Sequence, residues 1–305
     1  MGLNHRFFQT AGAYDIEYLI AAGGGGAGSS SSGGGGGGAG GYLTNYGGTK
    51  ISLSSSTTYT VTIGGGGAGL ANETAGIASS GGNSILSGAD ITTITSSGGG
   101  GARNGTGAGA NGGSGAGGQG AQTAGSGNTP STTPSQGNDG GAGSNPSDVG
   151  GGGGGAGGAG QSGGSHNSSN DGKGGAAASN SITGGAVNYA GGGGGGVCDF
   201  VDNGSHTGQG HAVGTNAGGN GGVSQHGVNN FVNGGDATVN TGSGGGGGSR
   251  SSGGSEARGG NGSSGVIILR IPTASYSGTT SGSPAVTTTG SDTILKFTGS
   301  GSYTA

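Results

Sequence analysis

The sequence predicts a mainly irregular and β fold: a bundle of polyglycine-II helices anchored on a small β core from both chain ends, with essentially no α-helix. Three observations predict it. Glycine supplies 95 of 305 residues while charged residues supply 7% and aromatics 4%, so an ordinary apolar core cannot extend through the chain. The glycines come in unbroken runs with no register of three, and only five prolines accompany them, which excludes a collagen helix. Apolar and β-branched residues gather at the two ends and leave the middle.

The elements follow in chain order. YDIEYLI at 14–20 puts Tyr14, Ile16, Tyr18 and Ile20 on one side of a strand. ISL at 51–53 and TTYTVTI at 57–63 are rich in β-branched residues, and SIL at 84–86 and DITTIT at 90–95 read as two further short strands. From 96 to 264 apolar side chains are sparse, and glycine rods alternate with polar loops of varying length. GVIILRI at 265–271 is the most apolar stretch, and its unbroken character predicts a strand covered on both faces. Pro272 stops it, and TILKF at 293–297 and GSYT at 301–304 complete the set. We expect a single unit over 1–305: strands and first rods in 1–95, the bundle with variable loops in 96–264, closing strands in 265–305. No 3.6-residue pattern persists anywhere.

Such a composition also suits a disordered polymer, so an ordered structure must be one that needs glycine. A glycine run in the left-handed, three-per-turn extended helix rises about 3.1 Å per residue and makes no internal hydrogen bond. Its N–H and C=O groups point outward, and buried ones must be paired. Side-by-side packing pairs them between neighbours. A rod enclosed on all sides is then expected to be all glycine, and a surface rod to carry a side chain on one face, as G-G-x. Pure runs stand at 33–38, 150–155, 191–196 and 244–248, and mixed runs at 110–118 and 154–160. The rods are marginal by themselves. Ordering costs about 1–2 kcal/mol per residue, and each hydrogen bond returns about 0.5–1.5 kcal/mol, with Cα–H···O contacts adding about 0.5–1 kcal/mol. The terminal strands must anchor them.

Composition also narrows function. Net charge is −4 with eight scattered Lys and Arg, so no basic patch marks a nucleic-acid binder. No apolar run approaches a membrane span. The N-terminus MGLNHRFFQTAG lacks a secretory leader's long apolar stretch. One cysteine, Cys198, excludes an internal disulfide framework. Protein made in a host cytoplasm without a signal peptide, and released in a virion, reconciles these traits. GxGxxG strings recur by chance among so many glycines, and none sits between a strand and a helix, so no nucleotide or other cofactor is expected.

EYLIAAGGGG at 17–26 resembles the opening of the glycine-rich domains of bacteriophage tail-fibre and tail-tip proteins. YTVTIGGGGAG at 59–69 is similar to their second strand entering a rod, and GSSGVIILRIP at 262–272 to their closing strand. ILKFTGSGSYT at 294–304 looks like the hairpin that often flanks such domains. The resemblance implies a polyglycine-II bundle like that of receptor-binding adhesins on T-even-type tail fibres, whose loops between rods contact the host. It carries over no catalytic residues, and the attachment domain of those adhesins is not identifiable here. A similar glycine-rich fold occurs in an animal receptor kinase ectodomain and in springtail antifreeze proteins, so fold alone does not assign function.

Candidate chemistry concentrates after the run at 191–196. Cys198, Asp199, Asp202, His206 and His211 are metal-ligand types, but their spacing matches no established site, and we expect no metal. A Cys–His nucleophile lacks an orienting third group. Recognition is the expected role instead. Phe200 among acids and amides, with Asp202, His206 and His211, offers apolar contact beside hydrogen-bonding groups. His226 and Phe231 form a second such loop. Tyr42 and Tyr46 serve either as contacts or as caps shielding rod ends. The expected function is a non-enzymatic virion adhesin gripping a host cell-surface glycan or outer-membrane protein and attached to other virion proteins, with a homo-oligomer such as a trimer among its assemblies. The alternative is a structural virion fibre or decoration protein, or an extracellular filament subunit, whose loops make subunit contacts. Ice binding is a third reading, which needs a flat and regular face.

Overall fold

The computed structural model describes residues 12–29, 32–72, 74–145, 149–164, 171–198, 214, 217–223, 232–250 and 256–305. The alternating segment near the start forms β1 (Tyr14–Ala21), followed by β2 (Tyr42–Thr44), β3 (Ile51–Leu53), β4 (Thr58–Thr62), β5 (Gly76–Ile77), β6 (Ser84–Gly88), β7 (Ile91–Ser96) and β8 (Arg103–Asn104). β9 (Ala178–Asn180) and β10 (Val187–Tyr189) form a hairpin in the middle of the chain. β11 (Val266–Pro272), β12 (Thr279–Ser281), β13 (Ala285–Thr289), β14 (Asp292–Phe297) and β15 (Gly301–Thr304) close it, with one 3₁₀ turn at Thr273–Ser275.

Two antiparallel sheets make the base. One has the order β13-β14-β11-β1-β2, with β3 also on β1, and the other β12-β15-β4-β6-β7. Thus each sheet joins strands from both ends of the chain, with Leu19 opposite Ile268 and Tyr303 opposite Tyr59. The sheets face each other over Ile16, Ile20, Leu86, Leu269, Phe297 and Tyr303, all buried. The opposite face of the larger sheet buries Leu19, Val266, Ile268 and Ile294 against Ile182 and Tyr189 of the β9–β10 region. β11 is therefore covered on both faces, as its unbroken apolar run predicts. The hairpin itself was not expected. Its strands are three residues each, too short for a periodic signal, and burial of Ile182 and Tyr189 on the sheet decides them. β12 and β13 were likewise unforeseen, being exposed, threonine-rich strands defined by pairing with β15 and β14.

Glycine rods rise from this base and pair as a lattice. In the rod at 22–28 the donors rotate through three neighbours with a period of three. Ala22, Gly25 and Gly28 donate to Gly41, Gly38 and Gly35; Gly23 and Gly26 to Gly82 and Ser79; Gly24 and Ala27 to Ser263 and Gly260. The carbonyls are taken up by three further rods: Gly99 and Ala102, Gly67 and Leu70, Gly245 and Gly248 donate to them. These bonds measure 2.8–3.1 Å, and six neighbours surround the rod. The threefold rotation is the signature of polyglycine II, because successive amides point 120° apart.

Side chains obey the same geometry. A Cβ added at Gly25, Gly36, Gly193 or Gly245 would lie 1.8–2.2 Å from a neighbouring rod's carbonyl oxygen. The rod at 64–70 lies at the surface: Gly64, Gly66 and Gly67 are crowded in this way, whereas Gly65 faces open space and Ala68, three residues on, is exposed. The all-glycine rule is not strict. Ala27, Ala39, Ala116 and Ser114 are fully buried, so the lattice accommodates a methyl or hydroxymethyl at chosen positions.

Candidate binding surfaces

The rod connections sort into two ends. Ala21 of β1 leads into 22–28, and Gly41 returns the chain to β2, so 28–34 turns at the end far from the sheets. Leu70 and Ala102 donate to Ala27 and Gly26, which puts the starts of 71–78 and 103–109 at that same far end. Gly120 donates to Ser32 at 3.2 Å, and Val149 and Val223 each bridge Val197. Consequently the rod ends bordering 146–148, 199–213 and 224–231 also lie there. A plug of Val149, Val197 and Val223 closes the lattice among them.

Beside the plug, Cys198 is fully buried and its sulfur accepts the Gly33 N–H at 3.0 Å. Its position caps a rod rather than presenting a nucleophile to solvent. Around the rim, Glu256 accepts hydrogen bonds from Ser29 at 3.3 Å and from Asn104 at 3.2 Å. Gln119 donates to the Gly105 carbonyl at 2.9 Å, and Arg103 to that of Ala108 at 3.2 Å. Polar side chains thus pin the described turns to one another.

Of the residues singled out in the sequence, Phe200, Asp202, His206, His211, His226 and Phe231 lie outside the described residues, as does Asp199. Tyr42 and Tyr46 are described, and neither is at the far end. Both pack beneath the larger sheet. The Tyr42 ring stacks on Tyr189 with centroids 6.5 Å apart, and its hydroxyl accepts from Asn180 at 2.8 Å. Burial pushes the Tyr189 phenol up to about 12 and raises that of Tyr42. Tyr46 lies under the Arg270 guanidinium, 5.5 Å from the ring centroid, a cation–π contact. Arg270 also pairs with Asp292 at 2.8 Å and Glu17 at 3.7 Å. The structure thereby separates these tyrosines from the rod ends that border 199–213 and 224–231.

A concavity that no sequence motif marks lies at the base. Tyr18, Leu43, Thr44, the strand Thr92–Thr95 and the segment Thr132–Pro134 surround about 290 Å³. DITTIT signals a strand; nothing in it announces that β7 faces β2 and a segment forty residues on.

Among the described residues no helix is long and apolar enough to cross a membrane. A family model described as a glycine-rich domain matches residues 6–272. No curated protein and no solved structure matches the chain.

Proposed function

Because the chain belongs to the glycine-rich domain family, we propose that it is a non-enzymatic recognition protein, an adhesin of a phage virion that grips a host cell-surface glycan or outer-membrane protein. The observation that carries this reading is the division of the bundle into two ends. Sheets built from both chain termini hold the rods at one end. At the other, the rods bordering 146–148, 199–213 and 224–231 are locked by amide bonds that leave those sequences free to vary. Rigid scaffolds carrying variable loops are a common arrangement for binding, because ordering entropy is lost in the scaffold rather than at the interface. Phe200 and Phe231 are the anchors we assign, with Asp202, His206, His211 and His226 as polar partners. The test is adsorption of particles to sensitive cells after Phe200→Ala and Phe231→Ala. Adsorption lost with particle assembly intact supports the adhesin. Assembly lost, or adsorption unchanged, refutes it.

One observation favours a structural role as a second reading. β13 is an edge strand of five residues, mostly exposed and without charge, and its outer side has no backbone partner among the described residues. An open edge of this kind is a site for strand addition by another subunit. Loss of assembly after Thr287→Pro, with the isolated chain still folded, would support that role.

A further inference from the structure

We propose that the groove at the base, between β2, β7 and the segment 132–134, binds a neutral saccharide of one or two rings. β2 and β7 are the edge strands of the two sheets, so the groove lies where both sheets end. Along Thr92–Thr95 the outer edge of β7 makes no backbone hydrogen bond among the described residues. The hydroxyls of Thr92, Thr93, Thr95 and Thr133 have no hydrogen-bond partner among the described residues either. Hydroxyls both donate and accept, and here they come from two separate segments facing one space. Tyr18, Leu43, Ile94 and Pro134 add apolar surface to the same lining. Sugar rings present that mixture in reverse, with hydroxyls around the rim and C–H groups on the faces.

The walls are held in place. Asn128 accepts from the Thr132 and Gln136 amides at 3.0 and 3.2 Å. Gln136, only 1% exposed, accepts from Ser97 at 2.8 Å and donates to Pro130 at 2.8 Å, tying the 132–134 segment to the end of β7. Thr44 donates to the Tyr18 carbonyl at 2.7 Å, fixing the β2 side. A site ordered before binding loses less entropy on binding.

The chemistry selects the ligand class. Among the described residues no carboxylate, histidine, lysine or arginine lines the groove, so a charged ligand would lose hydration without gaining a counter-charge. The volume sits at the low end for small-molecule sites. A peptide strand added along Thr92–Thr95 would run roughly 13 Å with side chains on both faces, which is large for this space.

The test is titration of the ¹⁵N-labelled full chain with glucose, N-acetylglucosamine, their β-1,4-linked disaccharides, glucuronic acid and an uncharged threonine-rich pentapeptide. We expect a neutral sugar to shift the amides of Thr92–Thr95, Leu43 and Thr133 saturably. The double substitution Thr93→Val, Thr133→Val should weaken that binding by roughly tenfold, two hydrogen bonds' worth, with an unchanged circular dichroism spectrum. Groove amides unmoved by every neutral sugar, stronger binding of glucuronic acid, or shifts with the peptide alone would each overturn the proposal. None of the residues assigned to adhesion, Phe200, Asp202, His206, His211, His226 and Phe231, lines this groove or is altered in this experiment, so its outcome is independent of the adhesin reading.

Discussion

Gly193→Ala and Gly65→Ala make a matched pair, since both place one methyl in a glycine run. At Gly193 the added Cβ would stand 1.8 Å from the Gly245 carbonyl oxygen and 2.5 Å from its carbon. Real contacts need more than 3 Å, so the rods at 191–197 and 242–249 must part by more than an ångström. Two bonds join them at this level: Gly244 N–H to Gly191 O at 3.0 Å and Gly247 N–H to Gly194 O at 2.8 Å. Each stretched bond leaves buried groups unpaired at about 1–3 kcal/mol. The loss comes to about 2–6 kcal/mol, a large fraction of a total near 5–15 kcal/mol. At Gly65 the Cβ meets nothing within 4 Å, and alanine there should be neutral or stabilise by about 0.4–1 kcal/mol through the unfolded chain. Urea unfolding followed by circular dichroism reads both. Equal midpoints for the two variants would refute the claim that backbone contact, rather than glycine content, holds the bundle.

Two other predictions concern pH and accessibility. Hydrogen bonds from Ser54 and Tyr59 hold the Asp90 carboxyl below its usual range, and Arg258 does the same for Asp236. A depressed carboxylate contributes stability that is whole above its unfolded-state value and is lost as pH falls through the folded one. The urea midpoint should therefore drop on acidification below the ordinary carboxylate range, and Asp90→Asn should shallow that drop; an unchanged acid limb contradicts the assignment. The thiol of Cys198 is fully buried, so Ellman's reagent should react with it only as fast as the protein opens, and immediate labelling of the folded chain would contradict its place in the lattice.

The polyglycine lattice was legible because its physics is local. A residue without a side chain permits contact on every face, so the runs at 150–155, 191–196 and 244–248 identify enclosed rods from sequence alone, and each is fully buried. The two-faced burial of β11 was legible for a similar reason, in its unbroken apolar stretch. Tyr42 and Tyr46 were ambiguous, since an aromatic beside glycines serves equally as a cap or a contact; stacking on Tyr189 and cover by Arg270 engage both in packing. The β9–β10 hairpin and the base groove carried no signal, because each depends on residues far apart in the chain meeting across a sheet edge.

By itself the sequence determined that the pure glycine runs lie inside the bundle and that β1, β3, β4, β6, β7, β11, β14 and β15 are strands, since glycine runs and β-branched alternation each admit few conformations. It left open which rods are neighbours. Every rod offers the same row of amides, so pairing carries no side-chain code, and the order is set by where the connecting strands and turns deliver each rod. The tertiary structure alone decided that 22–28 is bounded by six partners, that the rod ends bordering 146–148, 199–213 and 224–231 gather at one end, and that β2 and β7 border a groove at the other.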